Sequence, residues 1–515
     1  MFRRWIVAWF AVGFVLSPAS IRAAGDDPHN TVASASPGAS PGASPSAIPA
    51  YLAQSPPGLN GADLNAVQAF YAMRGNLPAW TGSPDAESDA QLMLAALTQA
   101  GAEGLNPSDY RIAEPAGYYS GAGGMSDAQK DVAITVAAMH YANDLRDGRP
   151  WLRTIDSDVE LPAKFFDAPR ELATALSQRK LAAFLADLPP PNPEYAKLKA
   201  LLARYAGAAA IGQPTTRRGK RALLRKLSVE DDAASSDDDV SDAVERFQKR
   251  HGLDPTGKMD PQTVAALNIA PSQRMLEIEA NMERWRWLPR GLEARYIMVN
   301  VPAAKLVLVA NGDTVLTSHV IVGKPEAPTP MLRADATGVT VNPPWMVPPK
   351  IARHEIIPKL AANPGYLSAH HMVWRRGGGI EQLPGGKNAL GKIKLELPNR
   401  FDVYLHDTPS KRLFARDDRD LSHGCVRVQE ILPLAAYALT GDSTSVSVLT
   451  SAVARGRTEH FPLSEPLPVY ILYWTVFVNS DGGVEFSPDI YERDQRLIAA
   501  LAAGTRNQSV TSSLN

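Results

Sequence analysis

The sequence predicts a multi-domain α+β protein: a helical first half, a small helical module, and a β-rich second half carrying a capping insertion. Three observations carry that prediction. At 515 residues the chain has room for about three domains. Apolar residues recur at helical spacing until about residue 294 and alternate from Arg295 onward. Between 348 and 391 the alternation lapses into a stretch rich in Gly, Pro and Lys, long enough to fold over a site.

Composition narrows the function. With 45% hydrophobic residues the chain can build real cores. Its 53 Lys and Arg against 54 Asp and Glu leave no cationic excess for nucleic acid. The short acidic run 237–239 reads as a solvated loop. Cys425 is the single cysteine, which excludes a disulfide framework within the chain.

The N-terminus reads as a signal peptide over residues 1–23. Arg3 and Arg4 precede an apolar run from Trp5 to Leu16, and Pro18, Ala19, Ser20, Ala23 and Ala24 follow. That run is shorter than the roughly 20 residues a membrane-spanning helix needs. Export to the periplasm follows, with no transmembrane helix in the mature chain. Residues 24–50 are dominated by Ser, Pro, Ala and Gly and read as a flexible linker.

Residues 51–212 read as a helical scaffold. Ser126 and Gln129 form a capping box, and Val132, Val136 and Met139 follow on one face. Nothing here calls for catalysis. Residues 213–270 form a compact unit. Ser241 is placed to cap a helix carrying Val244 and Phe247, which His251-Gly252 ends. Asp260 caps the next helix, with Pro261 at its first position and Val264 and Leu267 turned inward. A connecting helix is expected over 271–294.

The β-rich domain spans 295–460, with 349–391 as its capping subdomain. Strands are expected at 296–301, 305–310, 314–322, 337–342 and 402–406, and Asn311-Gly312 signals a type I′ hairpin. Residues 461–515 are expected to pack on the scaffold or the β-rich domain as a C-terminal segment.

The string from Tyr404 to Val428 holds what a cysteine acyl transfer requires: a thiolate, a base, and oxyanion donors. Cys425 precedes an apolar helical pattern (Val428, Ile431, Leu432, Ala435, Leu439). It is therefore expected at a loop-to-helix junction, where the helix dipole lowers a thiol pKa. Gly424 allows close backbone approach, and N–H groups around His423–Cys425 are the natural oxyanion donors. His406 ends a strand upstream and suits general-base work. Arg427 can grip a substrate carboxylate.

His406, a loop of about fifteen residues, and then Ser422-His423-Gly424-Cys425-Val426 resemble the motif of the YkuD-type L,D-transpeptidase family. Residues 243–269 resemble a peptidoglycan-binding helical module, with Phe247-Gln248, Gly252-Leu253, Gly257, Asp260, Thr263 and Ala266-Leu267 at its spacing. The strings VNPPWMVP (341–348), PGGKNALGKIK (384–394), FYAMRGNLPAW (70–80) and EGLNPSDY (103–110) are similar to the large multi-domain branch from Gram-negative bacteria. The resemblance implies a helical scaffold, a small three-helix peptidoglycan-binding-like module, and a β-rich YkuD-like catalytic domain. It also implies Cys425 as nucleophile and His406 as base. His423, Gly424, Ser422 and Arg427 would shape the oxyanion and substrate pocket, lined by Tyr404, Asn388 and Trp345. Asp407 or a backbone carbonyl would orient His406. Peptidoglycan tetrapeptide stems would be donor and acceptor, with other wall-synthesis proteins as further partners. A 3→3 cross-link, carbapenem sensitivity, and no cofactor or metal complete what it implies.

Other readings are weaker. A broken motif would favour a non-catalytic wall-binding scaffold, with 213–270 as its active part, and this motif is intact. An L,D-carboxypeptidase or a protein-anchoring transpeptidase would differ only in acceptor. A metal site from His354, His370, His371, His406 and Cys425 lacks ligand spacing. A papain-like protease would need a histidine far downstream, whereas His460 lies close to Cys425.

Overall fold

The computed structural model describes residues 47–56, 59–110, 125–211, 220–230, 239–479 and 481–503. The expected signal peptide and nearly all of the expected linker lie outside them. The expected linker gives way at its end to the helix Ala47–Leu52. No helix among the described residues is long and apolar enough to cross a membrane.

The first half is helical. Its longest helix, Asp127–Asp147, starts on the capping box of Ser126 and Gln129, an arrangement worth about 1 kcal/mol. Asp131 is buried on that helix. It accepts from the Tyr71 hydroxyl at 2.7 Å and from the Ala79 and Trp80 amides, both at 2.8 Å, so one carboxylate ties the turn after Gly61–Met73 to the helical core.

Among its described residues the module has three helices, Lys220–Leu227, Val240–Arg250 and Pro261–Leu267. Asp260 caps the third as expected. The second is capped by Asp239; Ser241 lies inside the helix and donates its N–H to that carboxylate. His251 ends the helix but is not a solvent-facing terminator. Its ring bonds Glu230 within the module at 2.8 Å and stacks on Phe486 at 4.7 Å, which docks the module on the C-terminal hairpin.

The helix Pro271–Arg286 is the hub of the fold. It packs on Pro193–Ile211 and on Arg493–Ala503. Two of its charges are buried and paired with each other: Glu283 accepts from Arg286 at 2.9 Å, and also from the Arg149 amide at 2.7 Å.

The second half is built from β2 Arg295–Asn300, β3 Lys305–Ala310, β4 Asp313–Gly323, β5 Met331–Val341, β9 Ile393–Glu396, β10 Leu405–His406, β12 Val426–Val428 and β13 Glu459–Leu472. The order β5-β13-β2-β3-β4-β12-β10-β9 closes on itself because β9 also pairs with β5. Two short strands join from outside the ring: β1 Val159–Glu160 on β5 and β11 Asp420–Ser422 on β4. The hairpin at Asn311-Gly312 has both residues at positive φ, 53° and 88°, as its type demands. Val299, Leu306, Val320, Val426 and Leu405 fill the interior, and the helix Ile431–Thr440 packs against them.

Four expectations need correction. Strand β13 crosses residue 460, so the β-rich domain takes a central strand from the C-terminal segment, and the rest of that segment packs on the scaffold helix Pro193–Ile211 and on Pro271–Arg286. The cap has strands of its own: β6 Trp345–Met346, β7 Met372–Trp374 and β8 Ile380–Gln382 form a small sheet, which starts the cap at Trp345. β14 Val476–Val478 and β15 Val484–Phe486 make the C-terminal hairpin. Finally, β1 comes from the scaffold half, where nothing in the local pattern announced a strand.

Candidate active site

Strands β10 and β12 run parallel, with Leu405 opposite Val426 and His406 opposite Arg427. Side chains alternate along strands. Leu405, Val426 and Val428 therefore turn into the barrel, while His406 and Arg427 share the outer face. Tyr404 and Cys425 extend that face by one step, joined by the bond from the Val426 amide to the Tyr404 carbonyl at 3.1 Å. On the other side of β10, antiparallel β9 sets Lys394 opposite His406. Four residues expected at the site, Tyr404, His406, Cys425 and Arg427, thus meet through register alone.

Cys425 is half-buried, and its Sγ lies 3.7 Å from the Asp402 carbonyl. It stands between β11 and β12, and the helix begins only at Ile431. The expected helix dipole is therefore not at the thiol. Burial raises the thiol pKa, opposed by hydrogen bonding with Tyr404 and by the charges of Lys394 and Arg427. His406 is buried, and burial with the nearby Arg427 guanidinium pushes it down to about 4. The Tyr404 hydroxyl is pushed up by burial and by Cys425, while the Trp345 indole bonds to it. Tyr404 and His406 meet edge-on at 5.6 Å.

The loop before Cys425 is held by its own side chains. Ser422 donates to the Cys425 carbonyl at 2.6 Å and accepts from the Gly424 amide at 3.1 Å. The Gly424 carbonyl accepts from the buried Thr329 hydroxyl at 2.8 Å. Gly424 sits at φ 112°, which favours glycine. The Gly424 and Val426 amides are thus engaged, which narrows the candidate oxyanion donors to the amides of His423 and Cys425. Ser422 shapes the turn and is buried.

Two expected residues lie elsewhere. Asn388 is buried in the base of the cap, where its amide donates to the Gln382 and Leu383 carbonyls at 3.1 Å and accepts from the Leu390 amide at 2.8 Å. Its hydrogen bonds hold a turn and leave no group for a substrate. Asp407 follows His406 in sequence, and its carboxylate accepts the Lys392 amide at 2.8 Å and pairs with Lys411. It does not bond the imidazole. Backbone groups of Asp407 and Leu390 and the Asp407 charge favour the protonated ring, but His406 Nδ1 is buried without a hydrogen-bond partner among the described residues, so neither Asp407 nor a carbonyl is seen to orient it.

Other residues were missed. Glu355 of the cap bonds His423 Nε2 at 2.5 Å. Lys394 holds its ammonium 4.5 Å from the centre of the Tyr404 ring. Alternation of Lys394 with Ile393 and Leu395 was a readable sign that it faces outward; Glu355 carried no signal. Among the described residues no group of three or more His, Cys, Asp or Glu is placed to hold a metal.

Comparison with known proteins fits this arrangement. Residues 65–202 match a scaffold domain, residues 221–267 a "Putative peptidoglycan binding domain", and residues 294–448 the L,D-transpeptidase catalytic domain named YkuD. A Haemophilus influenzae protein named "Putative L,D-transpeptidase" is 30% identical over 240 residues, covering 43% of this chain and 48% of the relative. The match thus spans about half the length of that curated relative. Among solved structures, an L,D-transpeptidase from Mycobacterium smegmatis aligns at 13% identity and TM-score 0.21, over 35% of this chain and 58% of that one. L,D-transpeptidase 1 of Mycobacterium tuberculosis aligns at 14% and TM-score 0.17, over 35% and 61%. These two likenesses are too slight to carry an argument. Scaffold, peptidoglycan-binding and catalytic domains thus follow in that order on one chain, and together these matches support the multi-domain YkuD-type L,D-transpeptidase family.

Proposed function

We propose that this protein is a peptidoglycan L,D-transpeptidase of the periplasm in which Cys425 is the nucleophile and His406 its base. The observation that carries the reading is the common face on β10 and β12 that holds Tyr404, His406, Cys425 and Arg427. The donor is a tetrapeptide stem. Cys425 attacks the carbonyl that joins the third residue, at the L-centre of meso-diaminopimelate, to the terminal D-Ala. The thiol proton passes through His406 to the departing amine, D-Ala leaves, and a thioester remains on Sγ. The side-chain amine of a second stem attacks the thioester and yields a 3→3 cross-link. The proton it gives up returns through His406 to the thiolate.

The features of the site suit these steps. A neutral imidazole is the form that accepts a proton, and a pKa of about 4 keeps His406 neutral at pH 7. The amides of His423 and Cys425 serve the oxyanion. Among the described residues Arg427 forms no ion pair, which suits it to a stem carboxylate. The cap excludes water that would hydrolyse the thioester. The module at residues 213–270 holds the wall polymer near the thiol.

Two assays test the reading. Intact-mass measurement after incubation with a carbapenem should give one adduct on the wild type and none on Cys425→Ala. Incubation with disaccharide-tetrapeptide should release D-Ala and form a cross-linked dimer. Cys425→Ala should abolish both products, and His406→Ala should slow them by about 10²–10⁴-fold. Activity retained in Cys425→Ala overturns the proposal.

A further inference from the structure

We propose that Lys394 is a positioning residue for this reaction: its ammonium, held over the Tyr404 ring by a polar chain crossing three strands, stabilises the thiolate form of Cys425. The inference rests on Cys425 being the nucleophile.

The need for such a group arises from what surrounds the thiol. Cys425 lacks a helix N-terminus, since its chain continues into β12. His406 is buried and neutral at pH 7, so it supplies no imidazolium to pair with a thiolate. The charged or titratable groups around the thiol are Asp402, whose carbonyl touches Sγ, Tyr404 just before β10, His406 on β10, Arg427 on β12, Lys394 and Glu396 on β9, and His423 with the cap's Glu355. The cations are thus Arg427 and Lys394. A stem carboxylate bound at Arg427 would neutralise that charge during the reaction. Lys394 is the cation that remains.

The position of Lys394 is built. Register sets it opposite His406 on β10 and Thr340 on β5. Its Nζ lies 4.5 Å from the Tyr404 ring centre, a favourable place for a cation. The Glu396 carboxylate holds Nζ at 2.8 Å through Oε2. Its other oxygen accepts from the Thr340 hydroxyl at 2.6 Å, and that hydroxyl lies 3.3 Å from His460 Nδ1 on β13. His460 covers Gly338, where a Cβ would come within 2.5 Å of its ring. Thr340 thus ties Glu396 to β5, and His460 ties Thr340 to β13. The ammonium held over Tyr404 lowers the Cys425 pKa.

The experiment uses the full-length protein, because Cys425 is its only cysteine and each alkylation event reports that thiol. The rate of modification by iodoacetamide is followed by intact mass across pH. Lys394→Met should raise the apparent thiol pKa by about one unit, slowing alkylation about tenfold below it. Lys394→Arg should restore most of the wild-type profile. Glu396→Gln, which removes the opposing charge, should move the pKa down, a sign that a merely structural role does not produce. Superimposable profiles for wild type and Lys394→Met overturn the inference, as does an upward shift in Glu396→Gln. Should Lys394→Met fail to fold, Lys394→Arg and Glu396→Gln still decide. No peptidoglycan is present in this assay. Failure of the transpeptidase reading shows instead as absent D-Ala release by the wild type.

Discussion

The Glu355 carboxylate reaches from the cap to His423 Nε2 at 2.5 Å, two residues before Cys425. It links an insertion with a small core of its own to the loop that carries the thiol. Both side chains are more than a third exposed, at 39% and 37%. Such a pair contributes less than about 1 kcal/mol to global stability. Glu355→Ala should therefore leave the melting temperature nearly unchanged while residues 349–369 exchange amide hydrogens faster. Unchanged exchange would show that the cap is held by its other contacts.

His406 couples folding to pH. Burial sets its folded pKa near 4, below the 6.5 of an exposed histidine. The unfolded chain therefore binds a proton that the folded chain does not between those values. The stabilisation is full above about pH 6.5 and is lost as pH falls toward 4, on the order of 3 kcal/mol in all. Denaturant titrations at pH 7 and pH 4.5 should show a smaller loss for His406→Gln than for wild type. Equal losses would place the pH sensitivity elsewhere.

Asp494 lies buried against Arg284 and accepts from the Thr475 hydroxyl; Thr475 in turn bonds Asn281 at 2.8 Å. This cluster joins the hub helix to the last described helix. Asp494→Ala leaves a buried guanidinium without its carboxylate and should cost about 3–5 kcal/mol. Chemical denaturation measures the loss. A change below about 1 kcal/mol would mean that water reaches Arg284.

Gly391 has φ 64°, and a Cβ there would stand 2.4 Å from Asp407 Cγ. Gly391→Ala meets both penalties and should lose about 1–3 kcal/mol. Because the Asp407 carboxylate anchors the Lys392 amide beside His406, D-Ala release should fall more than stability does. Wild-type turnover in a destabilised Gly391→Ala would show that His406 is held without this turn.

Much of this was legible in the sequence because it is local. The Ser126 capping box, Asp260 before Pro261, and Asn311-Gly312 each carry their turn chemistry within four residues, and all three form as read. The motif around Cys425 offered a candidate nucleophile and a candidate histidine for the same reason. What lay beyond reach depends on distant strands. Strand β1 exists only because Met331–Leu332 offers it an edge. Asp407 is turned from His406 because neighbours in an extended chain face opposite ways. Cys425 meets a strand where the apolar spacing suggested a helix, since Val428 belongs to the barrel interior and not to a helical face. Lys394 acquires its place from β10, β9, β5 and β13 together. Sequence by itself determined the domain order and the chemical groups, through short-range pattern and residue type. Tertiary structure alone decided which groups share a face, because that follows from strand register between segments far apart in the chain.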